Sequence, residues 1–313
     1  AGLPLKVEDF LHDIERRKGG TQKGTTPRQE SDLPIFKSGI FNDTTTGAPI
    51  TILFENNNTR SGDYQKQRAV PRPGHADFVA HQKFGGFEDY RGGGHFSGRL
   101  TVALVAAGVI AKKLLLALSP EKSKSAPGDI SVIASLLEIG GEKNIEKKKK
   151  KAIDAKDSIG GIVECRVNGL PLGLGEPFFD SAESLLSHAV FAIPAIRGIE
   201  FGTGFAAARM FGSEHNDAIT GQNGTTRTNH AGGIVGGISN GNELVFRIAV
   251  KPTSSTPKVQ ETLNWETGEI ETFSVKGRHD LCIALRVPVV LEAVTAIVLA
   301  DLMLTAQKTP RVL

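Results

Sequence analysis

The sequence predicts an α+β fold in which apolar helices pack beneath or between antiparallel sheets. Two segments, 100–118 and 287–304, are apolar around nearly their whole circumference, which is typical of buried helices. Strand-like runs interrupted by glycine flank both segments. The strand–helix–strand alternation of a doubly wound fold is missing, and RGGGHFSG carries Ser97 where a dinucleotide-binding G-x-G-x-x-G motif has its third glycine.

Composition and charge narrow the class of protein. Glycine is abundant, with 36 of 313 residues, and aromatic residues make up only 6%, so the chain folds on tight turns and small aliphatic side chains. The 37 Lys and Arg nearly balance the 34 Asp and Glu, and the net charge of +3 does not demand a nucleic-acid partner. Cys165 and Cys282 are too few for a disulfide framework, which favours a cytoplasmic protein. Lys112 and Lys113 interrupt the apolar run at 100–118, so we predict no membrane span.

The first third of the chain predicts one helix and one strand pair. Residues 3–18 place Phe10 and Ile14 at helical spacing, with acidic residues early and basic residues late, as the helix dipole favours. Residues 34–56 predict two strands around a turn. The polar composition of 57–67 predicts a mobile stretch. The predicted helix at 100–118 directly follows the glycine-rich run at 92–98.

The remaining chain alternates between charged and apolar stretches. Lys, Ser, Glu and Pro dominate 119–158, which predicts a variable, mobile segment whose lysine run, Lys147–Lys151, is a solvated helix face or flexible arm. Asn168-Gly169 inside the strand pattern at 159–171 predicts a hairpin turn. Further elements are predicted in order as a helix at 181–190, a strand at 243–250 and the apolar helix at 287–304.

Several short runs combine cations, imidazoles or hydroxyls with glycine or proline. Each alone is explained as well by exposed charges or by loop histidines, but together they indicate a small, highly charged ligand and proton transfer. Within the run 72–77, for example, Asp77 is close enough in sequence to orient the imidazole of His75. The runs are the cluster Arg16, Arg17, Lys23 and Arg28, then 72–77, 92–99, 251–255 and 277–280.

One hydrolase-like pattern is not supported. Residues 237–241 match G-x-S-x-G around Ser239, but a nucleophile elbow leads into a helix and here a strand pattern follows. We therefore do not expect a serine nucleophile.

Long motifs in fixed order resemble the chorismate synthase family over nearly the whole chain. They are AGLPL at 1–5, TTTGAPI at 44–50, RPGHAD at 72–77, DYRGGGHFSGR at 89–99, VAAGVIAKKLL at 105–115, TNHAGGIVGGISNG at 228–241, KPTSS at 251–255 and GRHD at 277–280. The resemblance implies a single domain over 1–313 with the family's β-α-β sandwich, central helices between antiparallel sheets.

The resemblance also implies a reaction. The family is a class of carbon–oxygen lyases that eliminate phosphate and a ring hydrogen from 5-enolpyruvylshikimate 3-phosphate in an anti-1,4 sense, which gives chorismate at the last step of the shikimate pathway. Reduced FMN is required without net redox change, with NADPH as a possible source of electrons. It further implies a cytoplasmic homotetramer, with no metal, nucleic acid or membrane as partner.

Site residues are carried over motif by motif. His75 is implied to protonate or stabilise the reduced flavin, and Asp280 to assist removal of the ring hydrogen. The implied substrate clamps are Arg17, Lys23, Arg28, Arg72 and Arg99, of which Arg17 and Lys23 also match positions associated with NADP. The implied FMN contacts are His95, Phe96, Ser97, Pro194, Ala195, Gly236, Lys251, Pro252, Thr253, Ser254, Ser255 and Arg278.

The sequence departs from the family pattern at two places. Many members read RSSAR where this chain reads HFSGR, so His95 and Phe96 replace an Arg and a Ser. The family's opening G-E-S-H-G motif is not found ahead of AGLPL, and we expect the 313 residues alone to bind substrate poorly or to turn over slowly.

Two other classes of function remain open. One is a flavin oxidoreductase that consumes a nicotinamide, and the other is a non-enzymatic anion-binding protein. An acid and base pair at His75 and Asp280 argues against the anion-binding protein.

Overall fold

A four-stranded antiparallel sheet packed on long helices forms the body of the protein. The computed structural model describes residues 1–20, 22–27, 30–56, 68–118, 129–275 and 279–308. The helices are α1 Glu8–Arg17, α2 Asp77–Phe84, α3 Thr101–Leu118, α4 Ile145–Ala155, α5 Ala182–Val190, α6 Gly212–His215 and α7 Val287–Lys308. The strands are β1 Ile35–Ser38, β2 Ile40–Phe41, β3 Thr44–Thr45, β4 Thr51–Leu53, β5 Ser131–Ile139, β6 Gly161–Asn168, β7 Ile196–Phe201, β8 Ile234–Val235, β9 Ile238–Ser239, β10 Leu244–Val250, β11 Gln260–Leu263 and β12 Ile270–Phe273.

The main sheet has the strand order β5-β6-β10-β7, and every neighbouring pair is antiparallel. Its strands alternate between an apolar face and a charged face, as the two-residue period of a strand requires. In β6, Val163 and Cys165 are fully buried against the helices, whereas Glu164 and Arg166 pair with each other on the opposite face. The apolar face of the sheet therefore forms one wall of the core.

Helices α3 and α7 lie at the centre of that core. Helix α7 contacts both β5 and β6, and α1 packs against α3 and α7. On the side of α1, the ring of Phe10 meets Phe36 of β1 edge to face with centroids 5.7 Å apart. The helices thus pack between the main sheet and the small two-stranded sheet of β1 and β4, which confirms the predicted α+β class.

The two central helices approach each other closely at Gly108. A Cβ atom at this position would lie 2.3 Å from the Cβ of Ala293 and 2.5 Å from its Cα, and backbone cannot move aside as a flexible side chain can. We expect Gly108→Ala to lower the free energy of unfolding by about 1–3 kcal/mol, as overpacked cores do. Urea unfolding would measure the loss; Gly212→Ala, at a helical position of α6 with no atom within 4 Å, is the control for adding a methyl group without a clash. A Gly108→Ala protein of native stability would contradict the close packing.

A buried ionic cluster joins the helices. Glu292 of α7, which is 3% exposed, accepts two hydrogen bonds from Arg16 of α1 at 2.7 Å and one from Lys112 of α3 at 2.9 Å. Its carboxylate also accepts the backbone N–H of Ala134 in β5 at 3.1 Å. Lys112 further donates to Asp13 at 2.7 Å. Arg16 therefore joins the helices, and it does not line the cavity described below, to which its neighbour Arg17 contributes.

By length and composition alone, Gly98–Leu118 and Val287–Ala306 could each cross a membrane. Core helices of soluble proteins pass the same test, and 44% and 67% of an apolar 18-residue window in each helix are buried inside the protein. Their charged residues support core helices rather than membrane spans, because Lys112 and Glu292 are paired with each other within the core.

Most predicted elements are confirmed, including the helices at α1, α3, α5 and α7 and the strands β1, β4, β6 and β10. The hairpin at Asn168-Gly169 is wrong, because β6 pairs with β5 and β10 and an irregular loop follows Gly169. In the segment 119–158, strand β5 was not anticipated, whereas α4 contains the lysine run and confirms the helix alternative given for Lys147–Lys151; the mobility of the segment stays a prediction. Residues 57–67 and 119–128 lie outside the described residues.

Candidate active site

A cavity of about 540 Å³ opens where three helix ends converge. The C-terminal end of α1 contributes Arg17, while the first residues of α3 and α7, Thr101 and Val287, form part of its floor. Two helix N-termini facing one cavity place positive dipole ends there, which favours an anion. The cavity walls also carry six Lys or Arg side chains against three carboxylates, so the local charge is cationic although the whole chain is nearly neutral.

Most of the predicted site residues meet in this cavity. Those lining it are Arg17, Arg72, His75, His95, Phe96, Ser97, Arg99, Pro194, Ala195, Lys251, Pro252, Thr253, Ser254, Ser255 and Asp280. Lys23 is exposed in the turn after α1, and Gly236 is exposed in the turn between β8 and β9; neither lines the cavity. Arg28 and Arg278 lie outside the described residues.

Three of the predicted anion clamps are paired with carboxylates, and two of them, Arg17 and Arg99, share Asp32. Arg17, 3% exposed, donates to Asp32 Oδ2 at 2.7 Å, and Arg99 donates to Asp32 Oδ1 at 2.9 Å. Arg99 also pairs with Glu30. Burial opposes ionisation of Asp32, but the two guanidinium groups hold the pKa of this carboxyl below its ordinary value. Asp32 therefore fixes both arginines side by side at the cavity wall.

The RPGHAD motif folds into a tight cluster of side chains. Arg72 donates from Nε and Nη2 to the two oxygens of Asp77, both at 2.8 Å, and Nδ1 of His75 lies 2.6 Å from Asp77 Oδ1. Arg72 Nη2 also lies 3.0 Å from Nδ1 and 3.2 Å from Nε2 of His75. The imidazole is therefore held between the carboxylate of Asp77 and the guanidinium of Arg72.

Burial would raise the pKa of Asp77, but hydrogen bonds from Arg72 and His75 hold it well below its ordinary value. Asp77 is thus a permanent carboxylate that orients the imidazole, as its position in the sequence predicts.

The KPTSS segment forms a further part of the cavity wall. Lys251 and Ser254 both donate to the backbone oxygen of Gly74, the latter at 2.7 Å, so this wall is bonded directly to the loop that carries His75. Arg72 Nη1 donates to Ser255 at 3.0 Å. The backbone N–H of Lys251 donates to the backbone oxygen of Ala195. Ala195 has a φ of +74°, which residues other than glycine rarely adopt.

Asp280 is held by two donors from distant parts of the chain. Its Oδ1 accepts the backbone N–H of Thr26 at 2.9 Å, and its Oδ2 accepts Arg286 Nη1 at 2.8 Å. Arg286 also donates from Nε to the backbone oxygen of Arg17 at 2.7 Å. The carboxylate thereby faces the cavity in a fixed orientation, with 13% of its side chain exposed.

The glycine-rich run before α3 supplies an apolar surface as well as polar groups. Ser97 accepts the backbone N–H of Arg99 at 3.2 Å, and Thr101 donates to the oxygen of Gly98 at 2.7 Å, so the turn into α3 is capped by its own side chains. Gly94, at a φ of +52°, approaches Asp89 so closely that a Cβ would lie 2.2 Å from its carbonyl oxygen. Phe96 remains 41% exposed and projects apolar surface toward the cavity.

Sequence reasoning missed the residues that position the predicted ones. Asp32 and Glu30, which pair with the arginines, and Arg286, which holds Asp280, belong to no quoted motif. No local sequence signal distinguishes these residues. Arg286 is a single cation ahead of an apolar helix, and Asp32 is a single acidic residue in a loop.

Comparison with known proteins gives a consistent result. The profile of the family described as Chorismate synthase matches residues 1–304. A curated chorismate synthase of Chitinophaga pinensis is 71% identical over 312 residues, covering 100% of this chain and 90% of the relative, and one of Dehalococcoides mccartyi is 44% identical, covering 100% and 91%. A solved structure titled "Crystal Structure of Chorismate Synthase" superposes with a TM-score of 0.67 at 26% identity, covering 97% of this chain and 85% of that one.

The fold and these comparisons thus define a carbon–oxygen lyase that acts on a phosphorylated substrate. The chain belongs to the chorismate synthase family. Its enzymatic function is the formation of chorismate, the last step of the shikimate pathway.

Proposed function

We propose that the cavity performs a reduced-FMN-dependent anti-1,4-elimination of phosphate from 5-enolpyruvylshikimate 3-phosphate. The observation that carries this proposal is the presence of two proton-handling groups in one cationic cavity, His75 oriented by Asp77 and Asp280 held by Arg286. A protein that only binds anions has no need of an oriented imidazole and an oriented carboxylate facing the same space.

The donor set and the apolar surface fit a flavin mononucleotide. Lys251 with the hydroxyls of Ser254 and Ser255 would hold polar or anionic groups of FMN, and the Oγ1 of Thr253 is buried with no partner among the described residues. Phe96 and Pro194 offer flat apolar surface for its ring system. When bound, reduced FMN supplies an electron transiently and recovers it, so no net redox change occurs.

The protein's own residues bind the substrate and handle its proton. Arg17, Arg72 and Arg99 form a cationic wall toward the phosphate and carboxylates of the substrate, and their carboxylate partners keep the guanidinium groups in place. His75 holds a proton at the cavity, and Asp280 assists removal of the ring hydrogen. In the balanced reaction the C–O bond to phosphate and one ring C–H bond break, a ring double bond forms, and inorganic phosphate leaves with the bonding electron pair.

The decisive experiment is anaerobic incubation of the full-length protein with reduced FMN and 5-enolpyruvylshikimate 3-phosphate. We expect chorismate absorbance and inorganic phosphate to rise together, and neither to rise when reduced FMN is omitted. Phosphate release without flavin, or consumption of a reductant in proportion to product, would contradict the proposal. An arm with oxidised FMN and NADPH tests whether the protein reduces its own flavin.

A variant of Asp280 tests the second proton-handling group. Asp280→Asn keeps an oxygen for the N–H of Thr26 but presents an amide to Arg286, so we expect the fold to persist and the single-turnover rate to fall about tenfold or more. Chorismate absorbance in a stopped-flow instrument measures the rate. The exposed Asp301 of α7 provides the control Asp301→Asn, and a native rate in Asp280→Asn would exclude the carboxylate from the reaction.

We further propose a cytoplasmic homotetramer with no membrane, metal or nucleic-acid partner. Large apolar side chains rarely stand in water unless a partner covers them. Four strongly exposed phenylalanines support the proposal. Phe178 and Phe179, which precede α5, are 88% and 92% exposed. Phe205, which follows the edge strand β7, is 81% exposed, and Phe211, which precedes α6, is 77% exposed. Light scattering after size exclusion measures the oligomer, and a monomer at micromolar concentration would contradict it.

A further inference from the structure

The cations of the reaction cavity, the cavity of about 540 Å³ at the ends of α1, α3 and α7, differ in how far their charge is already neutralised. Among the described residues, its walls carry four arginines and two lysines. Each arginine is bonded to a carboxylate whose side chain is at most 16% exposed, so an incoming anion meets a charge that is largely compensated. The pairs are Arg17 and Arg99 with Asp32, Arg72 with Asp77, and Arg286 with Asp280.

Neither lysine is paired with a buried carboxylate in the part of the chain that the structure describes. Lys251 donates to the neutral oxygens of Gly74 and Ser254. Lys18 forms an ion pair with Glu15 of α1 at 3.1 Å, and the Glu15 side chain is 60% exposed. Water screens an exposed pair of this kind, so the pair contributes little free energy and Lys18 can exchange Glu15 for another anion.

Lys18 lies at the C-terminal end of α1, where the helix meets the cavity. Its backbone N–H donates to the oxygens of Ile14 and Glu15, both at 3.1 Å, which closes the last turn of the helix. Its side chain lines the cavity together with that of Arg17. A cation at this place also complements the helix dipole. The dipole accounts for a contribution to stability, whereas a position in the cavity wall predicts a contribution to ligand binding.

We propose that Lys18 binds an oxyanion of the substrate, either its phosphate or one of its carboxylates, and releases Glu15 as it does so. The inference rests on the proposed function, because that function supplies the anionic substrate. A lysine ammonium is a compact charge with three donors and suits either group. The arginines keep their carboxylate partners and shape the wall, while Lys18 supplies charge that no buried acid among the described residues offsets.

Binding of 5-enolpyruvylshikimate 3-phosphate to the full-length protein without flavin tests the proposal and requires no turnover. Calorimetry at low salt should show about tenfold weaker binding for Lys18→Gln, because a hydrogen bond to a charged group is lost. Under turnover with reduced FMN, KM should rise by a similar factor while kcat stays within about twofold of native. Lys18→Arg keeps the charge and should restore most of the affinity. Lys37→Gln, at an exposed lysine of β1 outside the cavity wall, is the matched control and should bind as the native protein does.

A variant of the exposed partner should act in the opposite direction. Glu15→Gln frees Lys18 from its ion pair, so we expect about twofold tighter binding at low salt and a smaller gain at high salt. Glu8→Gln removes the same charge from the first turn of α1 and controls for the change in net charge. A lysine that only complements the helix dipole would not couple Glu15 to ligand affinity.

Inorganic phosphate distinguishes the two groups of the substrate. A raised inhibition constant for phosphate in Lys18→Gln assigns Lys18 to the phosphate, and an unchanged constant with a raised KM assigns it to a carboxylate; both outcomes support the proposal. Native affinity and native KM in Lys18→Gln would overturn it, as would absence of substrate binding by the native protein. Thermal melts verify folding of every variant. Substrate binding without turnover in the native protein would refute the proposed reaction alone, because affinity is measured separately.

Discussion

Replacing His75 with alanine is expected to lower turnover by about a hundredfold or more while FMN remains bound. General acid–base groups contribute roughly 10²–10⁴-fold to rate, and His75 is an imidazole in the reaction cavity with a carboxylate partner at 2.6 Å. The walls that would hold FMN, Lys251 to Ser255 and Pro194, are untouched by the substitution. Steady-state chorismate formation measures turnover, and flavin fluorescence titration measures binding.

Two further variants separate proton transfer from packing. Asp77→Asn keeps the size of the side chain but removes the charge that orients His75, so we expect a smaller fall in turnover and a changed pH–rate profile. The exposed His12 of α1 supplies the control His12→Ala, which should turn over normally. Native turnover in His75→Ala would remove this residue from the mechanism.

Replacing Glu292 with alanine is expected to lower the free energy of unfolding by about 3 kcal/mol. Breaking a buried ion pair typically costs 3–5 kcal/mol, and we take the lower end because Arg16 is 35% exposed and can regain water. The substitution also leaves Lys112 and the N–H of Ala134 without this partner. Urea unfolding measures the change, and Glu261→Ala at an exposed position of β11 should leave stability within about 0.5 kcal/mol of native.

The same carboxylate predicts how stability depends on pH. Burial opposes ionisation of Glu292, but Arg16 and Lys112 hold its folded-state pKa below the ordinary value of 4.5. The stabilisation it gives is therefore complete above pH ~5 and is lost as the pH falls through the lowered pKa. Glu292→Ala should lose less stability than the native protein between pH 5 and pH 3. Parallel stability curves for the two proteins would contradict a role for this ionised group.

Much of the fold could be predicted because its signals are local. The apolar circumference of 100–118 and 287–304 requires burial on all sides, and the structure places α3 and α7 in the core. Strand β5 was missed because a lysine-rich composition surrounds it, so the average over 119–158 hides nine residues whose burial depends on β6. The hairpin expected at Asn168-Gly169 fails for a related reason: pairing with distant strands decides the path of the chain.

In the candidate site, too, the residues with a local sequence signal could be predicted and those defined by tertiary contacts could not. Motifs supplied His75, Asp77 and Asp280, because their neighbours in sequence carry the pattern. Arg286 and Asp32 act only through contacts that the folded chain creates, and no spacing along the sequence records those contacts. Gly236 and Lys23 belong to quoted runs yet do not line the cavity, so a motif alone does not establish that all its members share a site.

The bond from Thr26 to Asp280 also bears on how the protein is made. The two residues are 254 positions apart, and Arg286 reaches Arg17 across 269. Contacts of such long sequence separation form slowly and only when both partners are available. During synthesis on the ribosome, the emerging chain therefore has no complete cavity of this kind until α7 has left the exit tunnel. Nascent chains that lack α7 should consequently bind no ligand in the cavity, and ligand affinity should rise abruptly once α7 has emerged.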